Sequence, residues 1–281
     1  MDSHVFLAVL AAAFMHAAWN AALKMKLEPF LAMTLITGAG GVLAIPPLVH
    51  FGFPSLPAWP WLLGSVAIHL AYYVVLSAAY ARADMGQVYP IARGGAPLLT
   101  ATISALFLRE PTTGLQFLGI AGLGLSVAAM SVVGRRQGTR FDPVAVGLAL
   151  ATAVIICGYT IVDGQGARTA GDPHAYSASL FVLDGIPMVA FAIWRRGLGG
   201  LAPLRGYWLQ GTLGGGLSLG AYWIAIWAMT VAPIALVGAL RESSVLFAAA
   251  ISVVFLKEPL HWPRALLAVA ILASLVLIRL G

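Results

Sequence analysis

Arg93 and Arg241 stand inside stretches that are otherwise apolar, "IARGGAPLLTATISALFLREP" at 91–111 and "ALRESSVLFAAAISVVFLKEP" at 239–259. A guanidinium held in hydrocarbon costs about 3 kcal/mol on insertion scales, so it is kept there for a partner or a task. The task its chemistry suits is gripping an anion, through planar paired N–H donors that a carboxylate or phosphonate can match. The alternative is a packing role, bonded to backbone carbonyls or reaching out from a tilted helix. Tyr89 lies one helical turn before Arg93, where its ring or hydroxyl can steady the guanidinium. Glu242 follows Arg241 directly, about 100° further round a helix, so the two are no automatic ion pair. Glu242 therefore calls for a ligand amine, an exchangeable proton, or an arginine on another helix.

Further polar groups recur at helical spacing. His16, Trp19 and Asn20 share one face, with Lys24 a turn beyond, and Asn20 is the only asparagine in the chain. Thr152, Tyr159, Thr160 and Asp163 share another. His69, Tyr72 and Tyr73, then Tyr222 and Trp223, add rings with polar tips that can cradle apolar or cationic parts of a ligand. Asp184 stands in the middle of an apolar run, suited either to carrying a coupling proton, like Glu242 and Asp163, or to a buried polar contact. His16 and His69 are expected to be hydrogen-bonded core residues, because no carboxylate or second histidine sits at ligand spacing. The lone Cys157 allows no intrachain disulfide and no cysteine-based zinc site, which leaves it as small core filler. No metal and no cofactor is expected.

The elements that position these groups follow from composition. The chain has 281 residues, 60% hydrophobic and 9% charged, with mean hydropathy +0.92. Soluble domains are about 25% charged, so this is a membrane protein. A helix needs about 20 apolar residues to span the hydrocarbon. Ten such runs lie near 4–23, 30–51, 61–81, 86–108, 113–133, 144–163, 175–194, 207–230, 233–256 and 261–280. Connectors such as "KMKLEP", "REPTT", "GRRQGTRFDP" and "KEPLHWP" mark the turns. The first run begins with Asp2 in place of a basic region and reads as a span, not a cleaved signal peptide. Tyr80, Trp59, Trp61, Trp194, Trp208 and Trp262, near helix ends, read as interfacial anchors. The net charge of +6 sits in short connectors, which is a topology signal and not a nucleic-acid-binding face.

The two opening stretches are copies. Over 21 positions they share nine residues, Arg, Leu, Ala, Ile, Ser, Phe, Leu, Glu and Pro, so Arg93 corresponds to Arg241. "AYY" at 71–73 answers "AYW" at 221–223, and "AIP" at 44–46 answers "GIP" at 185–187, which sets Leu43 against Asp184. The chain thus divides into a first five-helix repeat over 1–133, a connector over 134–143 and a second repeat over 144–281. Five crossings is an odd number, so the halves enter the membrane from opposite sides, an arrangement that marks secondary transporters with a midplane site. Arg93 lies about 10 Å in from Gly86 and Arg241 about 12 Å in from Pro233, which brings both close to that midplane from opposite faces.

The closing signatures "PLLTATISALFLREP" and "SVLFAAAISVVFLKEP" resemble those of the drug/metabolite transporter superfamily, in its EamA-like ten-helix branch. The resemblance implies an all-α bundle of ten transmembrane helices, two inverted repeats around a central cavity, moving small metabolites by alternating access without nucleotide hydrolysis. No P-loop, H-E-x-x-H or G-x-S-x-G motif is present, and no enzyme activity is expected. Glycine-rich "GTLGGGLSLG" lies within an apolar run and reads as close helix packing, through Gly211 with Gly215 and Gly216 with Gly220. The expected substrate is a small anionic or zwitterionic metabolite such as an amino acid, exported across a bacterial inner membrane by a multi-pass protein for which a monomer suffices. Arg93 and Arg241 would meet the anion, Glu242 the amine or proton, and Trp19, Tyr72, Tyr222 and Trp223 the rest. Export of cationic drugs or quaternary amines is the alternative within transport. A membrane-embedded enzyme or lipid carrier is the alternative outside it, and would need a nucleophile–base pair or a lateral opening. Orientation is open. Lys24, Lys26, Arg82, Arg135, Arg136, Arg140, Arg195, Arg196, Arg205, Lys257 and Arg264 face Arg109, Arg168 and Arg279 across the membrane, eleven against three. That count puts both termini outside, whereas the resemblance implies both inside.

Overall fold

The computed structural model describes residues 1–22, 27–82, 85–133, 142–255 and 262–281, and among them every regular element is helical. The first half comprises α1 (Ser3–Ala22), α2 (Pro29–Leu43), α3 (Ile45–Phe51), α4 (Trp59–Tyr80), α5 (Met85–Ile103) and α6 (Gly114–Val133). The second comprises α7 (Pro143–Thr169), α8 (Pro173–Arg196), α9 (Trp208–Val231), α10 (Ile234–Arg241), α11 (Ser244–Phe255) and α12 (Trp262–Leu280). Among the described residues nine helices are long and apolar enough to cross a membrane, and Gly114–Met130 is a shorter apolar tenth. The ten-crossing, two-repeat architecture expected from the apolar runs is the one observed, since α2 with α3, and α10 with α11, each make one crossing.

Helix ends follow local chemistry. Asp142 and Asp172 cap α7 and α8, their carboxylates accepting from the N–H groups of Val144 (2.9 Å) and His174 (2.8 Å), with Pro143 and Pro173 in the first turn. The second crossing breaks at Ala44, because Pro46 and Pro47 have no N–H to donate to the carbonyls of Val42 and Leu43. The ninth breaks at Glu242–Ser243, where short-range bonds replace the α-ladder: Val245 donates to the Glu242 carbonyl (3.1 Å) and Leu246 to that of Ser243 (2.9 Å). The fourth crossing ends in a π-turn, Ser104–Leu108, followed by Arg109 in the left-handed region at φ 53°.

The halves interleave. Besides the pairs within a half, α4 packs on α7, α1 on α9, α5 on α7, and α2 on both α8 and α9. The α2–α9 crossing depends on glycine: a methyl at Gly215 would lie 2.7 Å from the Gly40 nitrogen and 2.9 Å from the Ile36 carbonyl. Gly211 and Gly220 meet Leu35 and Met15 as tightly, while Gly216 has ordinary room beside Leu43. Cys157 is buried and free. Trp61, Trp194, Trp208 and Trp262 are exposed, as expected of interfacial anchors, and Trp59 and Tyr80 are partly covered.

Candidate functional site

A cavity lies between the halves. From α1 it takes His16 and Trp19, from α4 His69, Tyr72 and Tyr73, from α7 Tyr159, from α8 Asp184, from α9 Tyr222 and from α10 Arg241. Trp19 is three residues from the end of α1, Met33 four residues into α2 and Tyr73 seven from the end of α4. The cavity therefore reaches from the middle of the bundle toward the end that carries the connectors near 23–28 and 81–84, and away from the end that carries the termini.

Arg241 is the last residue of α10, so the helix break leaves its guanidinium at the cavity wall. It sits over the Tyr222 ring, 4.6 Å from the centroid, a cation–π contact that holds the head without neutralising it. No carboxylate among the described residues lies within ion-pair distance of it. Asp184, from the middle of α8, supplies the opposite sign to the same cavity. One of its oxygens is 3.5 Å from His69 Nδ1, and the other is buried with no hydrogen bond. His69 in turn bonds Ser65 Oγ at 3.1 Å and lies face to face with Tyr159, ring centroids 4.5 Å apart.

Arg93 and Glu242 are arranged otherwise. Arg93 Nε lies 2.8 Å from Glu242 Oε2, both residues are 3% exposed, and neither lines the cavity. The arginine expected to meet the anion and the carboxylate expected to meet the amine thus meet each other, across the boundary between halves. The reason is geometric: the break after α10 turns the Glu242 side chain toward α5, while Arg241 turns toward α9. The two sequence-equivalent arginines consequently occupy different surroundings.

Asp163 is fully buried and lies behind the wall, accepting hydrogen bonds from Tyr176 Oη at 3.0 Å and from Tyr222 Oη. Asn20 spends its amide on the His16 carbonyl (2.7 Å), and His16 Nδ1 accepts from Trp19 Nε1 (3.2 Å), so the α1 face is knitted to itself. Trp223 does not line the cavity. It is one residue, hence about 100°, past Tyr222 and donates to His174 Nδ1 at 2.8 Å, stacked on that ring. The side chain of Tyr89, and Lys24 altogether, lie outside the described residues. Sequence reasoning missed Phe181, Thr37 and Ser218 on the cavity wall and Tyr176 behind it. Phe181 had a signal, one turn before Asp184 on the same face; Tyr176 had none, since its partner is on another helix.

Among the described residues no cluster of three or more His, Cys, Asp or Glu could hold a metal ion. The site offers one positive and one negative group on the wall of an aromatic cavity. That equipment fits binding of a small charged solute.

No curated protein matches the chain in sequence. A solved crystal structure superposes on it with a TM-score of 0.77, covering 99% of this chain and 96% of its own, at 18% identity, a likeness that speaks for the fold alone. The family model of EamA-like transporters matches twice, at residues 3–133 and 143–280. With nearly its whole length matched in two successive copies, this multi-pass membrane protein belongs to the EamA-like transporter family.

Proposed function

We propose that this transporter exports a small zwitterionic metabolite, an amino acid or a close analogue, by alternating access across a bacterial inner membrane, with one copy of the chain as the working unit. The observation that carries the proposal is the pairing of Arg241 and Asp184 on one cavity wall, the first unmatched by any described carboxylate and the second with a bare buried oxygen. A substrate carboxylate would take paired bonds from Arg241 and its ammonium would take Asp184, so that each cancels a charge the other could not. Glu242 is committed to Arg93 and Asp163 to two tyrosines, which leaves Asp184, beside His69, as the carboxylate to exchange a proton between substrate loads.

Export of cationic drugs is favoured by Asp184 and the rings of Trp19, Tyr72 and Tyr73. The charged head of Arg241 in the same wall opposes it. Uptake into liposomes containing the purified protein, with and without a pH gradient, separates the two when a neutral amino acid is compared with its methyl ester and its N-acetyl derivative. The intact zwitterion should be carried best. Arg241→Gln and Asp184→Asn should each weaken its apparent affinity about 10- to 100-fold, the loss of one charge-assisted bond in a dry site. Transport of the ester, or of a quaternary amine, that survives Arg241→Gln would hand the site to the cationic reading.

A further inference from the structure

At the end of the bundle that carries the termini the halves are bolted together. Arg168, on the last turn of α7, has Nη2 2.6 Å from Glu110 Oε1. Its Nε donates to the Met229 carbonyl (2.8 Å) and its Nη2 to that of Ala232 (3.0 Å), where α9 ends. Glu110 uses its second oxygen, Oε2, to accept from the Ile234 N–H (2.8 Å), the first residue of α10. One side chain of the first half thus holds the ends of α7 and α10 of the second, and Arg168 ties the end of α9 to them. Nearby, Ser55 of the first half bonds the backbone of Thr169 and Ala170. At the opposite end the cross-half pair Glu28–Arg196 is exposed. The cavity lies toward that opposite end, so the Glu110–Arg168 knot stands on the side away from it.

Two features set this knot apart from a static clasp. Glu110 is delivered to it by the π-turn and by Arg109 at φ 53°, a left-handed conformation that carries a local backbone cost in a residue other than glycine. And α10, bounded by Pro233 and the turn at Glu242–Ser243, is a unit of eight residues, about 12 Å long, with Glu110 at its first N–H and Arg241 at its last position. The knot and the cavity are the two ends of one short rigid helix.

We infer that Glu110 and Arg168 form the gate of the terminal end, released when that end opens and re-formed when the cavity faces the connectors. The inference rests on transport by alternating access, not on the charge of the substrate. The test needs no substrate. In a Cys157→Ala background, Ser218→Cys places a thiol on the cavity wall, and a membrane-impermeant maleimide is applied to sealed vesicles from one face at a time. Glu110→Gln, which keeps an acceptor for Ile234, should raise labelling from the face carrying the termini, about fivefold if the tie contributes as a partly exposed ion pair does, and lower it from the other face. Arg168→Gln should do the same, and the double variant no more than either, because both remove one tie. Unchanged rates overturn the gate. A rise from both faces, with or without loss of thermal stability, also overturns it, since that is loosening and not gating. Additive effects overturn the pairing.

Discussion

The pair Arg93–Glu242 puts two full charges among apolar helices with side chains only 4% exposed. Their mutual attraction offsets a desolvation cost of several kcal/mol for each, and neither could remain alone at that depth. Removing either therefore takes the counter-ion from the other. Arg93→Leu or Glu242→Met is expected to destabilise the protein by about 3–5 kcal/mol, while the double variant should return most of the loss, because an apolar pair of similar volume fits an apolar surrounding. Thermal unfolding of the detergent-solubilised single and double variants measures this. Two singles that add up instead of cancelling would mean that the residues are held by other partners. Arg241 is a different case in the same neighbourhood: its contact with the Tyr222 ring leaves the charge in place, so Arg241→Gln should cost transport far more than stability.

Elements are placed by small residues at crossings. At the α5–α6 contact a methyl on Gly94 would lie 2.5 Å from the Gly124 carbonyl oxygen and one on Gly124 would lie 2.7 Å from that of Gly94, so the two backbones touch over a doubly bare patch. Gly94→Ala should force α5 and α6 apart and lower stability by about 1–3 kcal/mol. A chemical-denaturation midpoint that does not move would show that the helices slide without cost. α5 also carries Arg93, so a displaced α5 should weaken the pair with Glu242 as well. Elements of this kind were readable in the sequence because burial in lipid writes itself as uninterrupted apolar length, and the doubled "FLREP" and "FLKEP" endings gave the repeat. The breaks were less readable. Pro46 and Pro47 carried a signal for the first, but nothing local marks Glu242–Ser243, where tertiary packing overrides helical continuity. In the site, Trp19, Tyr72, Tyr73, Tyr222, Asp184 and Arg241 could be singled out as polar groups inside apolar runs. Which of them share a cavity depends on how the halves interleave, and neither the Arg93–Glu242 pair nor the turn of Trp223 toward His174 is contained in any one segment.

For the whole molecule, two inverted halves give a bundle in which the terminal end is knotted by Glu110 with Arg168 and by Arg279 with Met1 and Ser3, and the cavity lies toward the connectors. Which compartment each end faces is decided at insertion. Eleven arginines and lysines lie in the five connectors of one side and three on the other, and of those three Arg168 is engaged with Glu110 and Arg279 with the N-terminal segment. Positive charge resists translocation across an energised membrane, so the count predicts that the eleven stay in the cytoplasm with both termini outside. In that predicted orientation the cavity would lie toward the cytoplasm, where an exporter would load, and the proposed Glu110–Arg168 gate would lie toward the outside. A reporter active only in the cytoplasm, placed within residues 134–143, should therefore be on, and the same reporter fused after Gly281 should be off. The opposite pattern would place the cavity toward the outside and make the described arrangement the one that releases or imports substrate. Replacing Arg135, Arg136 and Arg140 together with glutamine leaves eight basic residues against three, still an excess on the same side, so the reporter after Gly281 should stay silent. If it turns on, those three residues of the central connector, and not the sum over all five, set the orientation of both halves.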